Sequence, residues 1–362
     1  MKNLFASLLI LALSLSVFSG CGGKKAELAL ITDLGTIDDK SFNQGAWEGL
    51  VKYAAENKIS SQHYEPTEKS TDAYLAAIDL AVKNGAKVIV TPGILFEEPI
   101  YIAQSTYPDV KFVLIDGNPH NADYSVVETA ANTVGITYAE EQAGFLAGYA
   151  AVKDGCTKLG FLGGMPLPAV VRYGYGFVQG ADYAARELGM AKDSVSMMYH
   201  YTGSFDATPE AQEMAASWYK NGTEVIFACG GSVGHSVMAA TEAAGAKVIG
   251  VDVDQYSQSD TVITSAMKGI GASVYSAIEA FYQGNFPGGQ NLVLNAANAG
   301  VAIAMDNARF KTFTATDYEK IYAALAADTD KIASNIVNIP SADGLVTSSA
   351  IRLEIVKMNE TA

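Results

Sequence analysis

Six short apolar runs, at 28–32, 87–91, 111–115, 158–162, 224–228 and 247–251, constrain this chain more than any other feature, because each is followed within two residues by glycine or aspartate. Runs of this length without polar alternation suit strands buried on both faces, which requires a parallel sheet with helices on either side. Longer stretches of helical pattern separate them, at 41–56, 70–84, 97–106, 139–152, 168–188, 209–221 and 234–244. The alternation is βαβ grammar and predicts an α/β chain. Local signals agree: Ser70, Thr71 and Asp72 can cap a helix over 73–82, and Gly85, Gly222 and Gly245 follow predicted helix ends.

At 362 residues the chain is too long for one ordinary core. The helix ending near 150–155 marks the expected boundary between a first unit, 27–150, and a second, 151–254. The C-terminal third is less regular: 261–267 and 291–294 read as strands, 274–282 and 318–327 as helices, and 351–358 as either. Parts of 255–295 and of 296–362 are expected to complete the first and second units respectively. Several segments then cross between the units and make a hinge.

The N-terminus reads as an address. One positive charge at Lys2 precedes an apolar run from Leu4 to Phe18, about fifteen residues against the roughly 20 needed to span a bilayer. Ser19-Gly20-Cys21 follows, resembling a bacterial lipobox, which implies a signal peptide over 1–20 and acylation of the Cys21 thiol. Gly22-Gly23-Lys24-Lys25 then serves as a tether within 21–26. The chain carries 39 acidic and 24 basic residues, so attraction to anionic lipid is excluded and attachment falls to the acyl chains. The same imbalance, with no basic cluster, argues against nucleic acid as a partner. The three cysteines show no zinc-site spacing, so no metal or cofactor is expected. Cys156 precedes one predicted strand and Cys229 follows another. If those strands are parallel neighbours the thiols lie on the order of 15 to 20 Å apart, beyond the about 7 Å between α-carbons that a disulfide allows. Two buried free thiols are expected.

In doubly wound sheets ligands bind beyond the carboxyl ends of the strands. The residues there include Asp33, Gly93, Asp116, Gly163-Gly164, Gly230-Gly231 and Asp252, a set rich in glycine and carboxylate and poor in histidine or cysteine nucleophiles. Asp33, Asp116 and Asp252 each follow an apolar strand, and three strands repeating one device exceeds what helix capping demands. Carboxylates can accept hydroxyl protons, and glycine lets a ligand approach the backbone. Gly230-Gly231 lacks the lysine and spacing of a phosphate-binding loop, and 160–164 is no dinucleotide fingerprint.

The segment from Ile31 through Asp33, Asp38-Asp39-Lys40-Ser41-Phe42-Asn43 to Gln44 resembles the opening motif of the basic membrane protein family, substrate-binding lipoproteins of ABC transporters that include the purine nucleoside receptor A group. Further resemblance lies in 113–116, 141–148, 160–165, Gly176-Phe177 with Gly180, 248–255 and 264–268. It implies a type I periplasmic-binding fold, with two Rossmann-like lobes of parallel sheet joined by a three-strand hinge around a ligand cleft. It also implies a nucleoside ligand, probed by Phe42 stacking on a purine base with Asp33 and Asn43 near that base. Asp116 adds a polar contact, Asp252 holds ribose hydroxyls, and Lys268 completes that end or pairs with Asp252. Tyr173, Phe177 and Phe205 remain candidates for a second aromatic wall, with Phe177 deep enough in its helix for core packing. The loop 92–96 departs from the glycine-led loop expected there. The implied partners are the permease subunits of an importer. A sugar or autoinducer-like ligand, or a sensing role, is the alternative. A nucleoside hydrolase is disfavoured because Ile31 stands where its calcium motif requires aspartate.

Overall fold

The computed structural model describes residues 25–338, 351 and 353–360, so the leader and Cys21 lie outside the described residues. The chain begins β1 (Leu28–Ile31), α1 (Phe42–Asn57), β2 (Ser61–Tyr64), α2 (Thr71–Lys83), β3 (Val88–Pro92), α3 (Glu97–Thr106), β4 (Lys111–Ile115) and β5 (Thr133–Tyr138). It continues α4 (Glu140–Lys153), β6 (Lys158–Gly163), α5 (Pro168–Glu187), β7 (Val195–Tyr201), α6 (Pro209–Lys220), β8 (Val225–Cys229), α7 (Val233–Ala244) and β9 (Lys247–Asp252). The remainder is β10 (Val262–Lys268), α8 (Ile270–Tyr282), β11 (Gln290–Leu294), β12 (Val301–Ile303), α9 (Ala315–Ala326), α10 (Ile332–Asn335) and β13 (Val356–Glu360).

Two sheets result. The first runs β11-β5-β4-β3-β1-β2 and the second β12-β10-β9-β8-β6-β7-β13, every pairing parallel except β10 with β12. Burial on both faces explains the unbroken apolar runs. In β1, Leu28 and Leu30 join one core and Ala29 and Ile31 the other, all four fully buried. Ser70 caps α2 by accepting from the Ala73 amide at 3.2 Å, and Gly245 closes α7 with a left-handed φ of 61°.

Strands β2, β5, β7 and β12 carry no clear run in the sequence. β2 is a polar edge strand, β5 is interrupted by Gly135, and β7 mixes serine, histidine and tyrosine with its apolar residues. They form because the neighbouring strand supplies the hydrogen bonds. The ambiguous C-terminal segment is a strand at 356–360, parallel to β7.

The sequence boundary near 150–155 needs correction. α4 packs on α5, β10 and β12 of the second sheet, so the chain first changes sheet at 138–140. β10 belongs to the second sheet, α8 packs back on α1, β11 completes the first sheet, and β12 returns to the second. The crossings therefore fall at 138–140, 268–270 and 294–301.

Asp154, buried just after α4, ties the tail to this lobe. One carboxylate oxygen accepts from the amides of Lys311 and Thr312 at 2.5 and 2.7 Å, and the other meets Lys247 Nζ at 2.7 Å. Burial pushes its carboxyl up, but the Lys247 ammonium and the amides of Thr312 and Phe313 overcome that and hold it below the usual range. A depressed carboxyl pKa contributes stability above the unfolded value that is lost as pH falls through the folded one. Asp154→Asn is expected to cost about 3 kcal/mol at pH 7. Urea melts should show that deficit shrinking only below about pH 4; a constant deficit down to pH 2 would remove the charge from the account.

Cys156 and Cys229 are buried free thiols. Cys229 ends β8 opposite Gly163, while Cys156 precedes β6 with Sγ 3.7 Å from Lys247 Nζ, so they occupy opposite ends of one sheet.

Candidate functional site

The carboxyl ends of the two sheets face one cavity of about 190 Å³. On the first lobe the chain leaves β1 through Asp33 and turns into α1. Asp39 caps that helix: its carboxylate accepts from the amides of Ser41, Asn43 and Gln44 at 2.9, 2.9 and 3.1 Å. Because Asp39 does the capping, the Ser41 hydroxyl is free to cross the cleft and donate to Asp252 Oδ2 at 2.6 Å. Asn43 Nδ2 donates to Asp33 Oδ1 and Asp39 Oδ2, each at 3.0 Å. Burial raises both carboxyls, against the hydrogen bonds they accept. Gly93 closes over Asp33 with a φ of 118°, and a β-carbon there would lie 2.5 Å from that carboxylate.

Asp116 after β4 and Asp252 at the end of β9 are equivalent points of the two lobes. Both adopt left-handed backbone, with φ of 61° and 65°, which aspartate tolerates better than most residues. Lys268, the last residue of β10, reaches between them. Its ammonium donates to Asp116 Oδ2 at 2.5 Å and lies 3.5 Å from Asp252 Oδ1 and 3.5 Å from Glu140 Oε1. The sequence offered Asp252 as its partner, whereas the tight contact is to Asp116. Burial alone would lower the lysine, but the carboxylates of Asp116, Asp252 and Glu140 together hold it firmly protonated. Asp116 is pushed up to about 7, first by burial and further by Glu140, with Lys268 opposing. Its Oδ1 is buried without a hydrogen-bond partner among the described residues.

The Phe42 ring lies 4.6 Å from Lys268 Nζ and is half-buried at the cavity wall. Tyr173 is buried, its hydroxyl making long contacts of 3.5 Å to Asp252 Oδ1 and 3.4 Å to the Ala266 carbonyl. It stands at the carboxylate end rather than as a free wall. Phe205 lines the cavity, and Phe177 is core, packed on Phe227 at 5.3 Å. Gly231 lines it with a φ of 51°.

Asp33, Phe42, Asn43, Asp116, Tyr173, Gly231, Asp252 and Lys268 thus all border this one cavity. Ile94 and Gly93 bring the 92–96 loop to it as well. Sequence reasoning missed Asp39, Ser41, Cys229 and Glu140. Asp39 carried a signal, an aspartate just ahead of a helix start; Glu140 carried none.

A sequence model of the Bmp family, described as ABC transporter substrate-binding protein PnrA-like, matches residues 26–342. The chain belongs to the Bmp family. This Bmp protein is 30% identical over 340 residues to the ABC transporter nucleoside-binding protein BmpA of Lactococcus lactis subsp. cremoris, covering 85% of this chain and 92% of the relative. It is 31% identical over 341 residues to basic membrane protein A of Borreliella burgdorferi, covering 91% and 93%. Among solved structures it is similar to an ABC transporter solute-binding protein from Aeropyrum pernix, with a TM-score of 0.73, 22% identity and coverage of 87% and 94%. A solute-binding protein from Conexibacter woesei gives 0.67, 23%, 87% and 99%. The Bmp chain is an ABC transporter substrate-binding protein with the type I periplasmic-binding fold. No helix among the described residues is long and apolar enough to cross a membrane.

Proposed function

We propose that this Bmp protein binds a purine nucleoside between its lobes and releases it, chemically unchanged, to the permease of an ABC importer. It works outside the cytoplasmic membrane, held there by lipid on Cys21. The observation that carries this reading is the pairing, in one cavity, of the Phe42 face with two carboxylates, the buried Asp252 and the part-buried Asp116. A purine has a flat apolar face and a polar edge, which an aromatic ring and a few placed polar groups match. A ribose diol offers two adjacent donors, and a carboxylate accepts such a pair with charge assistance. In this reading Phe42 stacks on the base, Asp33 and Asn43 meet its edge, and Asp252 takes the ribose hydroxyls. Lys268, Tyr173 and Gly231 complete the sugar end, and the partnerless Asp116 Oδ1 accepts one further ligand donor. The name of the Lactococcus lactis relative supports the nucleoside class. Closure follows because ligand contacts from both lobes favour the closed arrangement.

Calorimetry on protein stripped of copurified ligand, titrated with adenosine, guanosine, inosine, uridine and ribose, tests this. Submicromolar purine nucleoside binding with silent ribose is expected; heat from ribose alone would replace the nucleoside with a sugar. Phe42→Ala is expected to weaken adenosine by about 1 to 3 kcal/mol, the range for base stacking on an aromatic side chain. Unchanged affinity in the folded variant would take Phe42 out of the site.

A further inference from the structure

Two crossing points of the chain meet behind the cleft. Glu140 opens α4 just after the first crossing, and Lys268 ends β10 just before the second. Glu140 is fully buried. Its Oε2 accepts from Arg172 Nε of α5 at 2.6 Å, while its Oε1 has no hydrogen-bond partner among the described residues and lies 3.5 Å from Lys268 Nζ. A carboxylate present only to neutralise Arg172 would be expected to meet the guanidinium with both oxygens, the bidentate fork that arginine favours. Here one oxygen is anchored and the other faces the lysine. The ammonium is consequently held from three directions: by Asp116 on the first lobe, by Asp252 on the second, and by Glu140 at the hinge.

We propose that Glu140 is a positioning residue for the ligand cleft: anchored by Arg172, it sets the Lys268 ammonium from the hinge side so that the same ammonium can reach Asp116 across the lobes. The affinity part of this inference rests on the nucleoside reading above. The charge part stands without it. Once Asp116 is ionised, Asp116, Asp252 and Glu140 set three negative charges against the two positive charges of Lys268 and Arg172, leaving one in surplus. Glu141, 4.0 Å from Arg172, sits at the margin, and the surrounding Tyr138, Tyr173 and Cys229 are neutral groups raised by burial. Glu140 repels the charge on Asp116, and Arg172 attracts it.

The test compares Glu140→Gln, which keeps size and an acceptor for Arg172, with Glu140→Asp, which keeps the charge. The Asp116 carboxyl is followed by carbon NMR through a pH titration, and adenosine affinity is measured near neutral pH. In Glu140→Gln the Asp116 midpoint should fall by roughly one pH unit, and the adenosine Kd should rise about tenfold. Glu140→Asp should keep the midpoint within a few tenths of wild type. An unchanged midpoint and affinity in folded Glu140→Gln overturns the proposal, even if the variant melts earlier, because an ion pair that only supports the fold would move melting alone. If wild type binds no adenosine, the nucleoside reading fails while the Asp116 midpoint still decides the role of Glu140. Should Glu140→Gln not fold, Arg172→Gln carries the test: the midpoint and Kd should both rise, and no change in either overturns the inference.

Discussion

Lys268→Met is expected to weaken adenosine binding by about 100-fold or more and to lower folding stability by about 3 to 5 kcal/mol at pH 8. The size follows from what the ammonium faces. Its side chain is almost wholly buried, and removing it leaves Asp116, Asp252 and Glu140 together at the hinge with only Glu140 still paired to a cation, Arg172, among the described residues. Breaking a buried ion pair from one side is far more costly than losing a surface pair, since the remaining charge keeps its desolvation penalty. The pH dependence has a definite sign. Asp116 already sits at about 7 in the fold, above its unfolded value, so its contribution is full at low pH and is lost as pH rises from about 4 through 7. Without Lys268 its carboxyl rises further, and that loss continues to higher pH. Urea titrations at pH 5 and 8 should therefore show a larger deficit for the variant at pH 8. Equal deficits at both values would mean that the ammonium is not what holds Asp116 ionised.

Gly148→Ala and Gly176→Ala are expected to destabilise the protein by about 3 kcal/mol or more each, the upper end of overpacking penalties. Helix propensity alone predicts the opposite sign, a gain of roughly 1 kcal/mol per substitution. The contradiction arises because α4 and α5 touch backbone to backbone. A methyl on Gly144 or Gly148 would enter the Tyr173 or Phe177 carbonyl, and one on Gly176 or Gly180 would enter the Glu141 or Phe145 carbonyl. The two glycine pairs, each four residues apart on its helix, mesh reciprocally. Moving α5 outward would also carry Arg172 and Tyr173 away from the site, so affinity should fall with stability. Gly234→Ala is the internal control: on α7 a β-carbon there meets only the Met238 methyl at 3.9 Å, and a small gain is expected. Thermal melts of the three variants decide the matter, and a gain at Gly148 would show that the helices can separate at little cost. The first lobe repeats the device, with Gly49 of α1 against the Gly271 backbone of α8. Each helix that follows the first or second crossing is thus seated by glycine on the helix that begins at the cleft.

Those glycines show where sequence reading stopped. Gly144, Gly148, Gly176 and Gly180 were visible as family-like motifs, but a glycine needed for close approach looks the same as one needed for a turn until its partner helix is known. β5 and β7 were hidden for a related reason: their own residues only weakly prefer extended backbone, and the adjacent strands decide. Asp39 is the intermediate case, since an aspartate ahead of a helix is a legible cap, but its consequence, the release of Ser41 to Asp252, spans 211 residues.

The sequence by itself determined the βα alternation, the identity of the central strands, the carboxylates at their ends and the family motif around Phe42. All of these are written in spacings of a few residues, where side-chain period and strand-end chemistry act locally. Only the tertiary structure decided which sheet receives α4, that Lys268 grips Asp116 more closely than Asp252, and that Tyr173 turns its hydroxyl toward the carboxylates. It alone brought Glu140 and Arg172 behind the cleft. The Lys268–Asp116 contact joins residues 152 apart, and no local period encodes such a pairing; it exists because the chain crosses between two sheets and buries opposite charges where the crossings meet.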